Sequence, residues 1–136
     1  MRIVFKPNEC VGCEICTLIC SLKHNDITSL QKGRIKISRN YPTLNDPLFK
    51  ATYCRHCKNA RCIKVCPTGA LSEDENGQVL LDHKKCNKCG ECITACPFGA
   101  IWLDEKTNIV FKCDLCGGEP WCVKWCPHGA LEFKQK

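Results

Sequence analysis

The sequence predicts an α+β protein of short hairpins and short helices, in which the repeating unit is a β-hairpin arm, a loop and one helical turn. Three observations carry that expectation. The phrases CPTGAL, CPFGAI and CPHGAL begin at Cys66, Cys96 and Cys126, thirty residues apart each time. Cysteine supplies 16 of 136 residues, and a chain this short and this poor in large apolar side chains takes its stability from disulfide or metal staples. The segments GQVLLD, IWLDEKTNIVFK and LEFK alternate or cluster apolar residues as short strands do, and DENG and DEKTN are turn-like.

The repeated phrase has a local explanation. After a cysteine-bearing helical turn, Pro67, Pro97 and Pro127 stop the helix. Gly69, Gly99 and Gly129 then allow a tight turn, and Ala-Leu or Ala-Ile opens a strand. Ser21 stands where the first unit would have its proline, so the exit of that unit is not specified in the same way.

Metal is the expected staple. The N-terminus MRIVFKPNEC has no apolar leader region or small-residue cleavage site, which points to a cytoplasmic chain in a reducing compartment, where thiols bind metal rather than pair. No stretch approaches the roughly 18 apolar residues of a membrane span. The thiols fall into four groups: Cys10, Cys13, Cys16, Cys20; Cys54, Cys57, Cys62, Cys66; Cys86, Cys89, Cys92, Cys96; and Cys113, Cys116, Cys122, Cys126. The first and third read CxxCxxCxxxC, the second and fourth widen the middle gap, and every group ends in CxxxC.

Three cysteines within seven residues are too dense for a tetrahedral zinc knuckle. A [4Fe–4S] cube offers separated iron corners that such a loop can wrap, with the fourth thiol one helical turn on and followed by proline. A structural zinc protein stands as the rival reading, and it would be colourless and lack labile sulfide.

All sixteen cysteines, with CRHCKNARCIKVCPTGAL and KCDLCGGEPWCVKWCPHGAL, resemble the four-cluster ferredoxin-type electron-transfer subunits of the dimethyl sulfoxide reductase type. Relatives serve formate dehydrogenases, hydrogenases, nickel CO dehydrogenases and tungsten aldehyde oxidoreductases. The resemblance implies two pseudo-symmetric 2[4Fe–4S] ferredoxin-like modules, the outer from 1–30 and 107–136, the inner from 50–106, with 21–53 as insertion or connector. It implies four [4Fe–4S] clusters: Cys10, Cys13, Cys16 with Cys126; Cys113, Cys116, Cys122 with Cys20; Cys54, Cys57, Cys62 with Cys96; and Cys86, Cys89, Cys92 with Cys66. Spacing alone leaves a tandem pairing of first group with second and third with fourth equally open. Some members replace a ligand by tryptophan and build a three-iron cluster, but Trp102, Trp121 and Trp125 lie outside the sixteen positions.

The implied function is a non-catalytic relay. It passes single electrons between the catalytic subunit of a tungsten or molybdenum pterin oxidoreductase, or of a nickel CO dehydrogenase, and a soluble acceptor such as a ferredoxin, hydrogenase or flavoprotein. A free-standing polyferredoxin is the alternative. Acidic residues show no pairing for acid–base work, and no glycine-rich phosphate loop is present. The formal charge of +6 suggests nucleic acid only until about −2 per oxidised cluster is added, which brings the holoprotein to about −2.

Arg55, Lys58, Lys64, Lys88, Lys112 and Lys124 lie beside or between ligands and individually read as solvated surface cations, with tuning of cluster potential as the functional alternative. His24, His56, His83 and His128 read as surface or supporting residues, since cysteines fill every ligand position. Trp121 and Trp125 read as packing over a cluster. The 33 residues between Cys20 and Cys54, against 19 and 16 in the later linkers, contain GRIKIS as a strand and NYPTLNDP as turn formers. They read as a docking arm for a larger subunit, as a connector between cluster pairs, or as both.

Overall fold

The computed structural model describes residues 1–39 and 47–135. Eight short strands and four helices follow one another: β1 (Arg2–Phe5), α1 (Ile15–Asn25), β2 (Lys36–Arg39), β3 (Phe49–Thr52), α2 (Arg61–Val65), β4 (Leu71–Glu73), β5 (Val79–Leu81), α3 (Glu91–Ala95), β6 (Trp102–Asp104), β7 (Ile109–Phe111), α4 (Trp121–Lys124) and β8 (Leu131–Lys134). The strands form four two-stranded antiparallel ribbons, β1 with β8, β2 with β3, β4 with β5 and β6 with β7. The first ribbon ties the two ends of the described chain together, from Arg2 opposite Lys134 to Phe5 opposite Leu131.

Two of the hairpins have a chemical reason for their turns. Between β4 and β5 the Asp74 carboxylate accepts from the backbone N–H groups of Asn76 and Gln78 at 2.9 and 2.8 Å, an Asx-type closure of the DENG sequence. Between β6 and β7 the Asp104 carbonyl accepts from Asn108 N–H at 2.7 Å.

Helices α2, α3 and α4 span only four or five residues. Cys66 and Cys96, which follow α2 and α3, are already extended, and the residue before a proline is driven out of the helical region. Helix α1 departs from the single turn expected. It runs for 11 residues because Ser21 offers no proline stop, and it ends at Asp26, which is left-handed at φ 56° with its N–H on the Leu22 carbonyl. The Ser21 hydroxyl donates to the Ile27 carbonyl at 2.5 Å and anchors the segment after the helix.

Of the long linker, only the second half of GRIKIS enters a strand, since β2 begins at Lys36 and runs on to Arg39, and its partner β3 was not legible as one. Residues 40–46, which are most of NYPTLNDP and part of the segment read as a docking arm or connector, lie outside the described residues.

Two apolar clusters hold the ribbons. One gathers Ile3, Ile35, Ala51, Tyr53, Leu115 and Leu131 around Cys16, Cys20 and Cys122. The other gathers Ala60, Leu71, Val79, Ile101 and Val110 around Cys92. The Ala and Leu or Ile of each repeated phrase, Ala70 with Leu71, Ala100 with Ile101 and Ala130 with Leu131, are all buried. Isolated two-stranded ribbons and helices of one turn are not stable in water, so both elements depend on what they surround.

Close packing also fixes Gly33, which lies against α1: a Cβ there would stand 2.6 Å from the Thr17 carbonyl oxygen and 2.7 Å from its methyl group. Backbone cannot yield cheaply. Gly33→Ala should destabilise the protein by about 1–3 kcal/mol through overpacking, measured as a lower midpoint in denaturant unfolding.

Candidate metal centres

The sixteen thiols line four cavities, four to each. Cys10, Cys13, Cys16 and Cys126 line the first, walled by Phe5, Ile37 and Leu131. Cys20, Cys113, Cys116 and Cys122 line the second, beneath Ile3, Tyr53 and Leu115. Cys54, Cys57, Cys62 and Cys96 line the third, and Cys66, Cys86, Cys89 and Cys92 the fourth. The first two cavities take thiols from both ends of the chain, and the last two take theirs from residues 54–96. Every cysteine is free of disulfide.

Local geometry explains how short loops aim so many thiols inward. In each loop the residue before the second cysteine is left-handed: Gly12 at φ 72°, His56 at 47°, Lys88 at 61° and Leu115 at 55°. Such a residue turns consecutive backbone N–H groups to one side, forming a concavity suited to an anionic group. The N–H groups of His56 and Leu115 lie 3.4 Å from the sulfurs of Cys54 and Cys113. These loop residues carried no sequence signal, because only one of the four is glycine. Left-handed φ is strained for a lysine. Lys88→Gly should therefore raise stability by about 0.5–1 kcal/mol, measured by urea unfolding against the parent.

The repeated phrase also supplies donors. Ala130 N–H points at Cys126 Sγ from 3.3 Å. At Cys66, burial works in the opposite sense, but the Thr68 hydroxyl and the N–H groups of Leu71, Thr68 and Ala70 together lower the thiol to about 7. The CPxGA turn therefore folds backbone dipoles onto the sulfur of its own cysteine.

Elsewhere burial dominates. It raises Cys16 to about 11, with the neighbouring Cys126 and Cys13 adding to it. It also drives Cys113 and Cys122 far above the ordinary thiol range, with nearby cysteines contributing. Those neighbours give the order of the cavities. Cys16 of the first acts on Cys122 of the second, and Cys54 of the third acts on Cys113 of the second. Cys62 lies on α2 and Cys66 ends it, while Cys92 lies on α3 and Cys96 ends it, so the third and fourth cavities are neighbours. The four stand in series, and the two exposed cysteines, Cys13 and Cys89, belong to the two ends.

Two expectations, for Lys112 and Trp125, are corrected, and His56 takes the supporting place rather than the surface one. Lys112 is no surface cation: it is buried, and its Nζ donates to the carbonyls of Val79 and, at 2.9 Å, Cys113. A side chain buried just after the end of β7 cannot reach water, and two carbonyls replace it. His56 is likewise buried, its Nδ1 accepting from Val79 N–H at 3.0 Å; burial first and the Lys112 cation second lower it to about 3. Trp125 is 56% exposed, so it does not pack over a cavity as expected, whereas Trp121 is partly covered and carries the Lys23 ammonium 4.9 Å above its ring.

His24 reaches across the second cavity's rim. Nε2 meets Asp114 Oδ1 and Nδ1 meets the Cys20 carbonyl, both at 2.9 Å, so the doubly protonated ring satisfies both. Burial opposes that charge, yet Asp114 and Cys20 raise the ring to about 9. A raised folded-state value gives stability that is complete below the ordinary 6.5 and lost as pH rises through about 9. Unfolding measured at pH 6 and pH 10 should show a loss of at most about 2 kcal/mol from this pair, and His24→Gln should remove that part of the slope.

The donor set tests which group these cavities suit. Four converging thiolates, desolvated and mutually repelling, are stable as a set only around a cationic centre. Inward N–H groups suit one that keeps residual negative charge on sulfur. An iron–sulfur cluster meets both conditions. Short ribbons and one-turn helices wrapped around thiol quartets define an iron–sulfur protein of ferredoxin type.

The chain belongs to the 4Fe–4S dicluster domain family, whose model matches residues 46–136; a 4Fe–4S binding domain matches residues 7–23. It is similar to the polyferredoxin-like subunit of an aliphatic sulfonate oxidoreductase of Pyrococcus furiosus, 38% identical over 65% of this chain and 49% of that one. It is also similar to the thiosulfate reductase electron transfer subunit PhsB of Salmonella typhi, 36% identical over 60% of this chain and 44% of that one. The chain thus spans about half the length of the curated relatives it matches. Among solved structures, a chain of the active site complex BamBC of benzoyl coenzyme A reductase aligns with 96% of this chain and 76% of its own, at 25% identity and a TM-score of 0.53. Among the described residues no helix is long and apolar enough to cross a membrane.

Proposed function

We propose that this chain is the electron-transfer subunit of an oxidoreductase and holds four [4Fe–4S] clusters in series. Its ligand sets would be Cys10, Cys13, Cys16 with Cys126; Cys113, Cys116, Cys122 with Cys20; Cys54, Cys57, Cys62 with Cys96; and Cys86, Cys89, Cys92 with Cys66. The observation that supports this reading is the gathering of all sixteen thiols, without remainder, into four cavities of four. Bound clusters supply one-electron redox chemistry, at potentials tuned by hydrogen bonds, charge and solvent exposure.

The chain's own residues have three tasks in this reading. The cysteines hold and order the centres. Ile3, Tyr53, Leu115, Val79 and Ile101 keep water from the interior ones. Backbone N–H groups and the buried Lys112 ammonium offset negative charge where it would accumulate. No cysteine is left over for an open iron site where a substrate could bind.

The partner in this proposal is a catalytic subunit carrying tungsten or molybdenum pterin, or nickel, and the acceptor is a soluble carrier. The names of the Pyrococcus and Salmonella relatives, both electron-transfer or polyferredoxin-like subunits of reductases or oxidoreductases, support the subunit reading over a free-standing carrier. Anaerobic purification of the native protein with metal analysis tests it: a large companion chain with tungsten, molybdenum or nickel is expected, and a lone iron–sulfur protein would sink the idea.

Ligand pairing has its own test. Cys126→Ser should disturb the same paramagnetic centre as Cys10→Ser. A tandem pairing instead makes Cys126→Ser disturb the centre affected by Cys86→Ser.

A further inference from the structure

The two ends of the series differ in chemistry. Around the exposed Cys13 the most exposed neighbours are apolar, Val11 at 54% and Ile15 at 37%, and the one adjacent charge is the Glu14 carboxylate, which lines the first cavity. Around the exposed Cys89 they are cationic. Lys84, Lys85 and Lys88 are all exposed, and Lys88 lines the fourth cavity together with Cys89.

These lysines are held on an ordered turn. Asp82 accepts from Lys84 N–H through its carboxylate at 2.9 Å and from Lys85 and Cys86 N–H through its carbonyl at 3.2 Å. The Asn87 side-chain carbonyl accepts from Cys89 N–H at 3.3 Å. None of the three ammonium groups has an ion pair or a ring contact among the described residues, unlike Lys6, Lys23, Lys32, Lys36 and Lys134. Opposing carboxylates in this stretch are Asp82, engaged with the turn, and the exposed Glu91 at the start of α3.

We propose that the Lys84, Lys85 and Lys88 rim around Cys89 is the docking face for a soluble one-electron carrier protein with an acidic surface. This inference rests on the relay reading. An unpaired basic rim raises the encounter rate of an acidic partner without demanding a large permanent interface, and transient electron-transfer encounters are small. Such a partner would lie against the least covered thiol of the fourth centre.

Stopped-flow mixing of the cluster-loaded full chain with an acidic ferredoxin tests the rim, after iron, sulfide and cluster spectra are matched across variants. Lys84→Glu/Lys85→Glu should slow electron transfer at low ionic strength by roughly tenfold or more and abolish its salt dependence. Arg39→Glu/Lys50→Glu, which makes the same charge change on the β2–β3 ribbon, should stay within about twofold of the parent. A rim variant as fast as the parent, or equal slowing by both pairs, overturns the docking face while leaving the relay intact. A parent protein that keeps its clusters yet exchanges electrons with neither ferredoxin nor dithionite overturns the relay reading and the rim with it.

Discussion

Removing iron should unfold this protein rather than leave an ordered shell. Each of its ribbons has two strands of three or four residues, and three of its four helices make a single turn. Neither kind of element holds its shape alone. Cysteines sit inside both apolar clusters, so without metal the interior becomes a set of buried thiols with little apolar surface between them. Metal binding to thiolate sites is on the order of 10 kcal/mol, comparable with the whole stability of a small domain. Chelation under anaerobic conditions should therefore abolish the cooperative transition, collapse near-ultraviolet dichroism and expose the chain to protease. An apoprotein that still unfolds cooperatively in denaturant would refute this dependence.

Replacing Lys112 should produce two effects that a surface lysine would not. The side chain lies between the second and third cavities: it hydrogen-bonds the carbonyl of Cys113, opposes the burial that raises the Cys62 thiol and, through Val79, shares a strand residue with His56. Lys112→Met leaves two buried carbonyls without their donor, a loss of about 1–3 kcal/mol. It also removes a positive charge from between two centres whose reduction adds negative charge. Both midpoint potentials should fall, on the order of 60 mV if the loss is one decade in the equilibrium constant. Potentiometric titration followed by electron paramagnetic resonance checks the second effect and chemical unfolding the first. Lys64→Met, on the exposed face of α2, should move neither. Potentials unchanged in Lys112→Met would show that the ammonium serves only packing.

The site was more legible than the surroundings that tune it. Cysteine spacing is a local property, and a loop of seven residues that places three thiols can be read directly. So can the Pro-Gly turn of the repeat, whose steric rules act within four residues. Lys112 and Lys64 look alike in sequence because each lies within two residues of a cysteine. They differ because Lys112, just after β7, is folded against the carbonyls of Val79 and Cys113, whereas Lys64 faces solvent on α2, and partners brought from 33 residues away leave no local signal. Strand β3 was missed because the alternation of FKAT is only four residues long, at the lower limit of a strand signal, and it becomes a strand through pairing with β2. The length of α1 follows from an absence, the missing proline at Ser21, whose effect depends on what the continuing helix can pack against.

By itself the sequence determined the metal chemistry, the four cysteine groups, the helix stops and the turns, since each rests on forces acting within a few residues. Tertiary structure alone decided which distant thiols share a cavity, in what order the cavities stand, and which cations are buried among them. Those depend on how β1 closes on β8 and how α1 meets α4 and α2 meets α3. Such contacts join residues as far apart as Arg2 and Lys134, and spacing along the chain carries no record of them.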